Sequence, residues 1–109
     1  MAFSEKLADR IRKQLASETG LVEKKMFGGL AFMVNGNMSC GVVGDDLMVR
    51  VGPDAYADAL AEPDAREMDF TGRPMKGMIY VTSDGVRTAK RLAFWVKKGL
   101  KFAQSLPAK

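Results

Sequence analysis

The chain has 109 residues, of which 47% are hydrophobic and 28% charged; that is one domain's length (residues 1–109) with a single two-layer core, and no apolar run is long enough to cross a bilayer. It has no histidine, one cysteine (Cys40) and a net charge of +4 from 17 basic and 13 acidic side chains. Imidazole bases, Ser–His and Cys–His nucleophile pairs, ordinary zinc or copper sites and an internal disulfide are therefore excluded, so no enzyme activity, metal or cofactor is expected.

The N-terminus, Met1-Ala2-Phe3-Ser4-Glu5-Lys6, lacks a charged head followed by an apolar stretch, so a cytoplasmic location is expected. Phe3, Leu7, Ile11 and Leu15 are spaced four apart between charged residues, which predicts an amphipathic helix from Ser4, its N-cap, to Ser17, with Gly20 as the stop. From Leu21 to Val51, short apolar runs separated by Gly28-Gly29, Asn35-Gly36-Asn37 and Gly44-Asp45-Asp46 predict an antiparallel meander. Asn-Gly favours a two-residue type I′ turn, whereas the apolar pattern favours a three-residue loop with Asn37 in the left-handed region. The longer loop places Leu30, Phe32 and Val34 on one face with Met38, Cys40 and Val42. Leu47, Val49 and Val51 alternate with Met48 and Arg50 as a strand with one face inward.

Gly52-Pro53-Asp54 then opens a short helix, with proline at its first position, Tyr56 and Leu60 on its buried side and Pro63 at its end. Strands from Glu67 to Phe70 and Lys76 to Val81 follow, joined by Thr71-Gly72-Arg73-Pro74. A long helix from about Asp84 or Val86 to Leu106 closes the chain before Pro107. The order is helix, three or four strands, helix, two strands, helix: an α+β fold in two layers, with helices on one face of an antiparallel sheet.

The net charge conceals a division. Residues 1–72 carry 8 basic and 12 acidic side chains, whereas residues 73–109 carry 9 basic side chains and one acidic, Asp84. On a helical wheel Arg87, Lys90, Arg91, Lys97, Lys98 and Lys101 fall within about 120° of arc. Leu92, Trp95, Val96, Leu100, Phe102, Ala103 and Leu106 fall on the other side. Phe94 sits in the middle of the basic arc. Three readings are open: a solvated face that maintains solubility, with Phe94 covered by the N-terminal segment or a second copy of the chain; a protein or self-association surface; or a phosphate-binding face with Phe94 stacked on a base.

Met26-Phe27-Gly28-Gly29, with Lys24 and Lys25 before it, has the glycine pair of an anion nest, but no Gly-Lys-Ser/Thr follows and the next segment reads as a strand. A tight turn is the better reading. Cys40 lies among apolar neighbours and reads as a small hydrophobe, Asp45 and Asp46 as turn residues, and Glu67 and Asp69 as surface patterning. Of eight methionines, Met26, Met33, Met38, Met48, Met68, Met75 and Met78 lie in or beside strands and read mostly as soft core filler, one or two being on an adaptable contact surface.

Together, Met26-Phe27-Gly28-Gly29, the Asn35-Gly36 hairpin, the Leu47 strand, Phe70 leading into Gly72-Arg73-Pro74-Met75, Tyr80 and Trp95 resemble the N-terminal domain of the TfoX/Sxy family from about Ser4 to Leu106. The resemblance implies an α+β fold, no enzymatic activity and no catalytic residues to carry over. It makes Met26, Phe27, Gly28 and Gly29 signature positions of structure. Founding members of that family regulate natural competence together with the cyclic AMP receptor protein and carry a C-terminal helical domain; this chain, ending at Lys109, reads as a stand-alone N-terminal domain. A protein partner is therefore expected, with a homodimer compatible and no membrane. The alternative is direct but weak nucleic-acid binding through Arg87, Lys90, Arg91, Phe94, Lys97, Lys98 and Lys101.

Overall fold

Ser4 starts the first helix: its hydroxyl accepts the Leu7 N–H at 3.2 Å, and Glu5 occupies the first turn of α1 (Glu5–Gln14). These residues belong to a computed structural model that describes residues 3–26, 28–69 and 74–108. Leu7, Ala8 and Ile11 form the buried stripe of α1. The helix stops earlier than its apolar spacing predicts, with Leu15 as C-cap. Gly20 is not the stop; it forms a separate turn with φ +73°, its carbonyl accepting the Asn35 N–H at 3.0 Å.

Four strands follow, β1 (Leu21–Met26), β2 (Gly29–Val34), β3 (Asn37–Val43) and β4 (Asp46–Arg50); after α2 (Tyr56–Leu60) come β5 (Ala65–Asp69) and β6 (Pro74–Val81). They form one six-stranded sheet in the order β1-β2-β3-β4-β6-β5, every neighbouring pair antiparallel. The start of the chain is tied to it by the Ser4 N–H, which donates to the Gly44 carbonyl at 2.7 Å.

The β2–β3 hairpin corrects the expected loop. Its turn has two residues, Asn35 (φ +53°) and Gly36 (φ +83°), and Val34 pairs with Asn37. A register shift beside Phe32 and Met33 then leaves Ser39 without an opposite residue, so that Phe32 pairs with Cys40 and Leu30 with Val42. The bulge satisfies both demands: Asn-Gly keeps its preferred turn, and the apolar residues beyond it still meet. Asn37 is not left-handed; its side chain is buried and donates to the Pro107 carbonyl at 2.9 Å.

All three helices contribute to one core cluster. Leu7, Ile11, Ala59, Leu92, Trp95 and Val96 meet Leu30, Phe32, Cys40, Val42, Leu47, Val49, Ile79 and Val81 there, which is the expected helices-on-one-face arrangement. Met38 is not part of it. A second cluster joins Met38 to Met48, Met68, Met78 and Ala31, with Met26, Met33, Val43 and Tyr80 partly buried against it, and no described helical residue takes part. The methionines therefore fill the opposite side of the sheet, where Met48 is also buried rather than outward-facing.

Other boundaries shift for local reasons. Pro53 lies in a turn and Ala55 is the N-cap of α2, so proline does not occupy the first helical position. β5 starts at Ala65 and β6 at Pro74, each two residues before its expected start. The expected turn at Phe70 and Thr71-Gly72-Arg73 lies outside the described residues. Ser83–Val86 forms a separate 3-10 turn, and the Thr88 hydroxyl, accepting the Arg91 N–H at 3.2 Å, starts α3 (Ala89–Ser105) only afterwards.

Candidate functional site

Helix α3 lies across the sheet with Leu92, Trp95, Val96, Gly99 and Ala103 buried, while Leu100, Phe102 and Leu106 are half-buried at the margins of that face. Gly99 permits the approach, because a Cβ there would overlap the Ser39 carbonyl oxygen of β3. With that side sealed, the opposite side faces outward. Lys90, Lys97 and Lys101 are exposed on it and have no ion-pair partner among the described residues. From Lys90 to Lys101 the row extends about 16 Å at the α-helical rise.

Arg91 and Lys98 behave differently, since both are half-buried and lie over Phe94. The Arg91 guanidinium carbon is 4.6 Å and the Lys98 Nζ 4.7 Å from the ring centroid. Phe94 is itself half-buried and meets Trp95 edge-on, with centroids 5.0 Å apart. Arg91 also donates to Glu62 Oε1 at 3.3 Å, joining α3 to the segment after α2. The aromatic residue in the basic arc is thus packed under two cations of its own helix, spaced three and four residues away. That spacing is visible in the sequence, whereas the Glu62 contact depends on the tertiary fold.

Arg87 does not lie on α3. It caps the 3-10 turn, pairs with Asp84, and its carbonyl accepts from Arg10 Nη2 at 3.2 Å. It lines a cleft of about 410 Å³ with Ser4, Lys6, Leu7, Arg10, Asp45, Ser83 and Val86. A second, smaller hollow of about 270 Å³ borders α3 and is lined by Val51, Ala55, Lys98, Lys101, Phe102 and Ser105.

Gly28 and Gly29 lie at the β1–β2 hairpin: Met26 pairs with Gly29, Gly28 has φ +74°, and Phe27 lies outside the described residues. Gly29 starts a strand rather than a helix, so no helix N-terminus is available there to hold a phosphate. Cys40 is fully buried in the core, and desolvation pushes its thiol up to about 12, so it is protonated at neutral pH and unsuited to nucleophilic attack. Asp45 is exposed in the β3–β4 turn, and Asp46 opens β4 and pairs with Arg66. Arg12 grips both carboxylate oxygens of Glu23 at 2.7 Å; these hydrogen bonds hold the Glu23 carboxyl below its usual range and raise Arg12. No group of three or more His, Cys, Asp or Glu side chains among the described residues is placed to hold a metal ion. No described helix is long and apolar enough to cross a membrane.

These features define a small α+β domain whose most distinctive surface is a cationic helix face. The family model described as the TfoX N-terminal domain matches residues 13–103, so the chain belongs to that family. No curated protein matches the chain.

Proposed function

We propose that this TfoX N-terminal-family domain acts without catalysis, by protein contact, in transcriptional regulation of the competence type. The outward face of α3 is its contact surface. The observation that carries this reading is the row of Lys90, Lys97 and Lys101, all exposed and without an acidic partner among the described residues. Unpaired cations attract an acidic partner over roughly a Debye length and orient its approach. Direct nucleic-acid binding is the alternative. The same lysines would serve phosphates, but the Phe94 ring needed for base stacking already carries Arg91 and Lys98.

The test is capture from a native extract, with and without nuclease, by wild-type protein and by a Lys90→Glu/Lys97→Glu/Lys101→Glu variant. A Lys6→Glu/Lys13→Glu/Lys24→Glu variant, with the same charge change on other exposed lysines, is the control. The expected result is a protein retained by the wild type and the control but lost with the α3 variant. Equal retention by all three, or retention that nuclease abolishes, would contradict the proposal.

A further inference from the structure

Where β4 ends, Gly52 adopts φ +86° and a Cβ there would overlap the Phe102 ring. The bare glycine lets that ring rest on the backbone, with the Arg50 guanidinium 5.2 Å from its centroid. Beside the ring runs the hollow of about 270 Å³ between the turn that opens α2 and the second half of α3. Val51, Ala55 and Phe102 make its apolar surface, Lys98 and Lys101 supply positive charge, and no carboxylate lines it. Its volume is below the 300–1,000 Å³ of ordinary small-molecule sites, a size suited to a side chain delivered by a larger partner.

We infer that this groove docks an acidic, amphipathic peptide segment of a partner protein. One bulky apolar side chain seats against Val51, Ala55 and Phe102, and flanking carboxylates meet Lys101 and Lys98, whose ammonium leaves its place over Phe94 to do so. Charge complementarity selects an acidic occupant: Lys98 and Lys101 line the groove and no carboxylate does. A nucleic-acid strand would find no free ring face to stack on, because Phe102 is packed on Gly52 and covered by Arg50, whereas an apolar side chain needs only the open space beside the ring. The inference rests on the protein-contact reading and narrows it to one groove and one ligand chemistry.

The experiment is a titration of the isotope-labelled full chain, followed by backbone amide shifts, with the probe acetyl-Asp-Glu-Leu-Phe-Asp-Glu-amide. Shifts are expected at Val51, Ala55, Lys98 and Phe102, with affinity falling at least tenfold for Lys98→Glu and when Leu-Phe in the probe is replaced by Ser-Ser. Ala55→Trp, which fills the groove while leaving every lysine in place, should abolish the shifts; its amide spectrum shows independently that it is folded. Shifts centred on Lys90 and Lys97, or binding indifferent to Ala55→Trp, would overturn the groove while leaving contact through α3 intact. A single-stranded oligonucleotide shifting the groove amides at lower concentration than the peptide would overturn both.

Discussion

Gly99 of α3 faces the Ser39 carbonyl of β3 so closely that a single added carbon would overlap the oxygen. This contact fixes how deeply the helix beds into the sheet, and hence which of its residues face outward.

Gly99→Ala sets two effects against each other. Helix propensity alone favours alanine by about 1 kcal/mol in a helix interior, but an overpacked core costs about 1–3 kcal/mol, and here the obstructing atom is backbone with little freedom to yield. A net loss of up to about 2 kcal/mol is expected from those ranges, measured as a lower urea midpoint at unchanged slope.

Asn35 and Asn37 should respond unequally. Asn35 is left-handed at φ +53°, so Asn35→Gly relieves strain and should alter stability by less than about 0.5 kcal/mol. Asn37 is buried and donates to the Pro107 carbonyl, so Asn37→Ala should cost about 1 kcal/mol. Chemical unfolding of the two variants checks the contrast.

Cys40 links the core to alkaline pH. Its folded pKa is raised from 9.0 to about 12 by burial, so the unfolded chain ionises first. The stability held by the protonated thiol is complete below about pH 9 and is lost as pH rises toward 12. Over that range the wild type should lose stability more steeply than Cys40→Ala, by up to one proton's contribution to the slope. A thiol reagent should label the native protein only at the rate of unfolding.

Elements governed by local rules were legible in the sequence. Ser4 caps α1, Leu47 and Val49 alternate inward, and Leu92, Trp95 and Val96 mark the buried side of α3. Features created by competition between rules were not. The bulge at Ser39 arises because turn chemistry and the apolar register disagree by one residue, and α3 starts only after Thr88, whose hydroxyl accepts the Arg91 N–H, beyond a separate 3-10 turn. The methionines gave no facing information, since an apolar residue suits either side of a sheet that buries side chains on both. The cationic arc was legible from 3.6-residue periodicity, but the Arg91–Glu62 contact and the groove beside Phe102 require α2 and α3 to be placed in space.

The most direct test of contact through α3 is photocrosslinking in the native host, with a benzophenone side chain at Lys97 of α3 or at Lys13 of α1, both exposed. A discrete protein adduct at Lys97, resistant to nuclease and absent at Lys13, is predicted. Equal adducts at both positions, none at Lys97, or one that nuclease removes would contradict it.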